Sequence, residues 1–126
     1  MCAGLAVWLC GFSLEWTADA QKSAWRADPA NQGRYIDTGL WSLARHPNYC
    51  GEIMLWLGCA CIGAGGVGSA GGVAAAFASP AFVTLLLTRV SGVPMLEASA
   101  RKRWGKEKGW REYQARTRTL LPLPHW

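Results

Sequence analysis

The chain has 126 residues, enough for one domain, and 13 Lys and Arg against eight Asp and Glu give it a net charge of +5. Half of the residues are apolar, but they are segregated from the charges: residues 53–88 form a run of 36 without Asp, Glu, Lys, Arg or His. A soluble domain of this size rarely tolerates such a run, which points to a membrane-embedded protein.

Residues 1–14 are apolar and, as a helix rising ~1.5 Å per residue, reach about 20 Å, short of the ~30 Å hydrocarbon core. They read as a partial N-terminal span, which suggests that upstream sequence has been lost. The stretch lacks a basic n-region and a small-residue cleavage site, so it makes a poor signal peptide. Residues 15–52 read as a polar connector, with a short helix over residues 18–26 and turn chemistry from Asp28, Pro29, Asn31 and Gly33. The uncharged run is too long for one crossing and carries Gly63, Gly65, Gly66, Gly68, Gly71 and Gly72 at its middle, which predicts a transmembrane hairpin. Its arms are residues 49–62 and 73–93, with Pro80 tolerated as a kink. Residues 95–114 read as an amphipathic interfacial helix interrupted at Gly105 and Gly109, and LPLPHW as an extended close. The expected fold is thus an all-α integral membrane helical bundle, with residues 1–126 forming a single domain.

Eight cations, Arg101, Lys102, Arg103, Lys106, Lys108, Arg111, Arg116 and Arg118, fall within 18 residues. Directly after apolar spans they read as a cytosolic flank drawn to anionic membrane lipid, with no nucleic acid as partner, and they leave room for a phosphate-bearing ligand. The hairpin returns the chain to the face it left, so Lys22, Arg26, Arg34 and Arg45 share that cytosolic face. The five cysteines lie mostly in or beside apolar runs and the two histidines are far apart, so no metal site is expected. Gly63, Gly65 and Gly68 match G-x-G-x-x-G, but without a strand before it or an acidic residue about 20 positions beyond, the match reads as close-packed turn glycine.

The informative stretch is GLWSLARHPNYCGE, residues 39–52. It sets a cation (Arg45), an imidazole (His46), an amide (Asn48), a phenol (Tyr49) and a carboxylate (Glu52) at the mouth of a span, where ionisable groups are costly and usually face a partner. Alternatively, Arg45 and His46 snorkel to headgroups while Trp41 and Tyr49 form an aromatic belt. The residues alone leave both readings open.

This stretch, with EWTADAQKSAWR before it and SGVPMLEASARKRWGKEKGWREYQARTRTLLPLP after it, resembles the C-terminal domain of steroid 5-alpha-reductase-like membrane proteins and sterol reductases. The RHP-x-Y-x-G block is also similar to that of isoprenylcysteine carboxyl methyltransferases. Asp19, Gln21, Lys22 and Arg26, together with Asn48, Tyr49, Gly51 and Glu52, match the reductase side, whereas the methyltransferases usually carry a Glu pair where this chain has only Glu97. The resemblance implies the NADPH-binding part of a membrane reductase that acts on a carbon–carbon double bond of a lipophilic enone: a steroid, sterol or polyprenyl-like compound. Lys22, Arg26, Arg45 and Arg101 would meet the phosphates. Asn48 would bond the carboxamide, Trp41 or Tyr49 would pack on a ring, and His46 would belong to the same pocket. Glu52 and Glu97 would accept from ribose hydroxyls, although Glu97 could equally pair with Arg101 at helical spacing. Tyr49 is the only local candidate catalyst, because the electrophilic groups of steroid reductases lie in N-terminal spans. The alternatives are an S-adenosylmethionine-dependent membrane methyltransferase and a non-catalytic membrane fragment. By analogy the membrane would be the endoplasmic reticulum in a eukaryote or the inner membrane in a bacterium.

Overall fold

A computed structural model describes residues 2–120, so the expected extended close over LPLPHW lies outside the described residues. The described chain is helical: α1 (Cys2–Ala27), α2 (Pro47–Gly65), α3 (Ala70–Leu85), α4 (Gly92–Trp104) and α5 (Lys108–Arg116), with short 3-10 turns at Pro29–Asn31 and Gly39–Ser42. The only sheet-like pairing among these residues is one bridge between Ala44 and Arg118.

The expected helix end near residue 14, with a separate short helix over residues 18–26, is corrected. α1 continues unbroken through residue 15 to a length of 26 residues, about 39 Å at ~1.5 Å per residue. No Pro interrupts this stretch, and its polar half holds four Ala with Glu15, Gln21, Lys22 and Arg26, which sustain a helix as well as the apolar half does. The helix stops where Pro29 forces Asp28 into extended backbone (φ −81, ψ 117) and the Asp28 carboxylate accepts from Ala30 N–H at 2.9 Å.

α1 and α2 pack antiparallel through small residues. Gly4, Gly11 and Ala18 recur every seven positions on the buried stripe of α1, and Gly51 and Gly58 face them from α2. A Cβ on Gly11 would lie 2.5 Å from the Leu55 nitrogen, and one on Gly51 would lie 2.5 Å from the Glu15 nitrogen. The two backbones are therefore in direct contact, as membrane helices achieve with small residues.

The glycine cluster makes a shorter turn than expected. Gly63 and Gly65 finish α2, Gly71 and Gly72 begin α3, and only residues 66–69 turn, with Ser69 Oγ capping α3 by accepting from Gly72 N–H at 3.1 Å. Pro80 sits inside α3 as expected. Beyond it, Leu86–Val90 is π-helical, closed by Ser91 N–H to Leu86 C=O at 2.8 Å, and it leads directly into α4. The run Ala70–Trp104, 35 residues, is the one helical stretch among the described residues long and apolar enough to cross a membrane. Just 6% of its apolar window is buried, whereas the core helix of a soluble protein would be mostly buried.

The expected helix over residues 95–114 is interrupted near Gly105, as read from the sequence, but not at Gly109, and so forms two helices. α4 grows out of α3 at Gly92, the break falls at residues 105–107, and Gly109 is inside α5. The aromatics of this region turn inward: Trp110 and Tyr113 are buried with Ala100, and Tyr35 and Trp104 pack against them. A second cluster joins Ala18, Ile36 and Trp41. Both clusters lie at the polar end of the molecule, while Leu5, Leu9 and Phe12 of α1 and Phe82 and Leu85 of α3 stay exposed.

Candidate functional site

The connector docks on the polar half of α1 through backbone-directed bonds. Gln21 Oε1 accepts from Leu40 N–H at 2.9 Å, close over Gly39, whose φ of +60 suits glycine. Trp41 Nε1–H donates to Ala18 C=O at 3.0 Å, and the Lys22 ammonium lies 4.8 Å from the centre of the Trp41 ring. From the other side, Tyr113 O–H donates to Trp41 C=O at 2.6 Å, and Trp104 Nε1–H donates to Gly33 C=O at 2.9 Å. Trp41 is thus an internal strut, not part of an aromatic belt.

Arg45 and His46 are both 6% exposed, which rules out snorkelling to headgroups. The backbone N–H groups of Arg45 and His46 bond Arg118 C=O and Thr119 C=O, so the C-terminal strand-like segment runs beside them. The Arg45 guanidinium donates to Glu97 Oε1 at 2.7 Å, to Gln114 C=O at 2.9 Å, to Thr117 C=O at 2.8 Å and to Thr119 Oγ1 at 2.8 Å. It clamps connector, α4, α5 and tail together, and few of its donors remain for a ligand. Glu97 pairs with Arg45 and His46, not with Arg101.

Burial alone would raise the Glu97 pKa, but hydrogen bonds from His46 and Arg45 outweigh it and hold the carboxyl below the usual carboxylate range. An ionised carboxylate only accepts, so His46 Nε2, at 3.1 Å from Glu97 Oε1, carries the proton. Both donors converge on Oε1. Oε2 is buried and has no hydrogen-bond partner among the described residues, so it is left to accept from a further donor.

A cavity of about 130 Å³ opens at this point, walled by α1, the connector, α4 and α5. Six of the ten residues singled out in the sequence line it: Lys22, Arg26, Trp41, Arg45, His46 and Glu97. Arg101 lines a second cavity of about 420 Å³ that shares Arg45 and Glu97 as its wall. Asn48, Tyr49 and Glu52, on the first turn and a half of α2, line neither. Tyr49 stacks on His46 with ring centres 5.6 Å apart, and Asn48 Oδ1 is buried without a partner among the described residues. The first cavity also recruits Arg34, Arg103, Trp25, Tyr35, Trp104, Trp110 and Tyr113. The interleaving of basic and aromatic residues in the tail signalled a surface, but its rings face inward.

The electrostatics of this cavity are one-sided. Arg45 and Glu97 neutralise each other, and Lys22, Arg26, Arg34 and Arg103 add four cations, none of which has a carboxylate within 4.0 Å among the described residues. Burial, with the repulsion of Arg26, lowers the Lys22 pKa. Anions are what such a cavity accommodates, and its six rings offer flat apolar faces beside them. No group of three or more His, Cys, Asp or Glu that could hold a metal occurs among the described residues.

Neither a curated protein nor a solved structure matches the chain. A family model does, over residues 1–117, and its description is a protein of unknown function, DUF1295. The chain therefore belongs to the DUF1295 family, which is associated with steroid 5-alpha-reductase-like membrane proteins.

Proposed function

We propose that the chain is the NADPH-binding part of a multi-pass membrane oxidoreductase that reduces a carbon–carbon double bond of a lipophilic enone. The observation that carries this reading is the first cavity, where four carboxylate-free cations surround aromatic walls at the end of an otherwise apolar helix set. A pyrophosphate and a 2′-phosphate require several cations, and Lys22, Arg26, Arg34 and Arg103 provide them. The orphaned Glu97 Oε2 suits a ribose hydroxyl or a carboxamide N–H. At about 130 Å³ the cavity is smaller than the ~300–1,000 Å³ of typical ligand pockets, so it takes one ring or one phosphate end and the remainder of the dinucleotide lies outside it.

When bound, NADPH supplies the hydride for the β-carbon of the enone. The chain's part is to hold and orient. Glu97 fixes His46 in one tautomer, and Tyr49, stacked on that imidazole, holds the plane of its ring. In this reading the apolar half of α1, with α2 and α3, lies in the bilayer, and the polar half of α1, the basic connector and the tail face the cytosol. The membrane is the endoplasmic reticulum in a eukaryote and the inner membrane in a bacterium. A steroid, sterol or polyprenyl-like substrate would arrive from the lipid phase along the exposed apolar helices.

Four tryptophans line the cavity, so their fluorescence reports its occupancy. Detergent-purified chain titrated with NADPH should show saturable quenching, with weaker binding of NADH. Arg26→Ala and Arg34→Ala should each weaken NADPH binding about tenfold, the ~1.5 kcal/mol or more of a charge-assisted bond. Preference for S-adenosylmethionine overturns the reading in favour of the methyltransferase, and silence towards both ligands in a folded sample leaves a non-catalytic membrane fragment.

A further inference from the structure

We propose that Trp25 makes the first cavity specific for a 2′-phosphate: its indole N–H donates to a phosphate oxygen, while Glu97 Oε2 accepts from the neighbouring 3′-hydroxyl of the same ribose. The inference rests on the NADPH reading and names the part of that dinucleotide which enters the cavity.

Trp25 differs from the tryptophans that fix the connector. Trp41 and Trp104 donate their indole N–H groups to the carbonyls of Ala18 and Gly33, at 3.0 and 2.9 Å. Trp25 Nε1 is buried and has no acceptor among the described residues. An indole N–H can only donate, and a buried donor left without an acceptor is costly. The residue is nonetheless held in place. Its C=O accepts from Asn31 Nδ2–H at 3.0 Å and from Asp28 N–H at 3.3 Å, and its ring packs on the cluster of Ala18, Ile36 and Trp41. An unmet donor thus sits in the wall of the cavity.

Charge identifies what accepts from it. Lys22 lies one helical turn before Trp25 and Arg26 directly after it, and both line the same cavity without a carboxylate within 4.0 Å among the described residues. An acceptor drawn to those two cations is an anionic oxygen. Shape then selects the phosphate. Walled by α1, the connector, α4 and α5, and holding about 130 Å³, the cavity suits a terminal group. The pyrophosphate is internal to the dinucleotide, with chain leaving on both sides, whereas the 2′-phosphate is a terminal branch.

Glu97 sets the second requirement. Its Oε2 is a buried acceptor without a partner among the described residues, in the wall of the same cavity. A phosphate dianion offers it no proton. The ribose that bears the 2′-phosphate carries a 3′-hydroxyl on the adjacent carbon, so one fragment presents an acceptor for Trp25 and a donor for Glu97 side by side. The 2′-hydroxyl of NADH lacks the charge that Lys22 and Arg26 attract.

Calorimetric titration of the detergent-purified full chain provides the test, with NADPH, NADH, adenosine 2′,5′-bisphosphate and the 3′-deoxy form of that bisphosphate. Trp25→Phe keeps an aromatic ring and removes the N–H. It should weaken NADPH and the bisphosphate about tenfold, the loss of one hydrogen bond to a charged group, while NADH affinity stays within about twofold and helicity is unchanged. In the wild-type chain, the 3′-deoxy bisphosphate should bind about fivefold more weakly than its parent, a comparison that needs no substitution and stands even where Trp25→Phe fails to fold. Trp16→Phe, at a tryptophan 68% exposed on α1, should leave all four affinities intact. Equal wild-type affinity for NADPH and NADH overturns the inference, and so does equal binding of the two bisphosphates. Unchanged NADPH affinity in Trp25→Phe does the same. A wild-type chain that binds neither dinucleotide refutes the nucleotide reading itself, whereas equal weakening of both by Trp25→Phe refutes the 2′-phosphate contact alone.

Discussion

Arg45→Ala tests whether this buried guanidinium builds the site or binds in it. The substitution leaves the Glu97 carboxylate, 13% exposed, without its strongest partner and strips Gln114 C=O, Thr117 C=O and Thr119 Oγ1 of a shared donor. Removing one member of a buried ion pair costs about 3–5 kcal/mol, because the other charge stays desolvated. For a chain of 126 residues, ~1 kcal/mol shifts Tm by about 4 °C, so Tm should fall by about 10–20 °C in differential scanning of the detergent complex. Arg45→Lys keeps the charge but cannot span four acceptors, and should fall about midway. Combining Arg45→Ala with Glu97→Gln removes the stranded charge and should recover part of the loss, a coupling of about 1–3 kcal/mol. An unchanged Tm for Arg45→Ala together with weakened NADPH binding would refute the clamp and make Arg45 a ligand group.

The Glu97 carboxyl is held below the usual range by His46 and Arg45 against the opposing effect of burial, so it binds fewer protons folded than unfolded. The stability it contributes is complete above about pH 4.5 and is lost as pH falls through its lowered folded value. A Tm profile from pH 6 to pH 3 should show this loss, and Glu97→Gln should flatten it. Lys22 has a lowered pKa through burial and the neighbouring Arg26, so its ammonium is poised to lose its proton in alkaline solution. A phosphate ligand prefers the charged form, so NADPH affinity should decline as pH rises through that value, and Lys22→Arg should remove that part of the decline. In the α1–α2 contact, Gly51→Ala places a methyl 2.5 Å from the Glu15 nitrogen and should cost about 1–3 kcal/mol in thermal unfolding. Gly63→Ala in the same helix meets nothing within 4 Å and should be neutral or stabilising by about 0.5–1 kcal/mol.

The helical class, the hairpin turn and the stretch over residues 39–52 were legible because each rests on local chemistry: an uncharged run, clustered glycines, and ionisable groups beside an apolar segment. The continuity of α1 was hidden because hydropathy changes at residue 15 while helix propensity does not. The heptad of Gly4, Gly11 and Ala18 is visible in the sequence, but it acquires meaning only when Gly51 and Gly58 are set against it. Arg34 and Arg103 were visible only as charges of a basic face, and Tyr35 carried no signal at all, because only the fold of the connector over α4 and α5 brings the three to the cavity. Glu97 and Arg45 are 52 positions apart, a separation at which sequence spacing suggests no pairing, whereas the rejected partner Arg101 lay four residues away.

A bilayer supplies no hydrophobic drive to hold one apolar helix against another, so a polar site at its edge must be fixed by close packing and hydrogen bonds. The structure separates the polar side chains accordingly. Gln21, Trp41, Arg45, Trp104 and Tyr113 direct their bonding groups at least partly to backbone amides and carbonyls on other elements, and these fix the connector to α1, α4 and α5. Lys22, Arg26, Arg34 and Arg103 line the same cavity without a hydrogen bond to the chain among the described residues. The same few residues thus cannot be ranked by type, since Arg45 and Arg26 are both arginines in one pocket. What distinguishes them is where their donors end, and by that criterion Arg45 positions the site while the four remaining cations keep their donors for the ligand we propose.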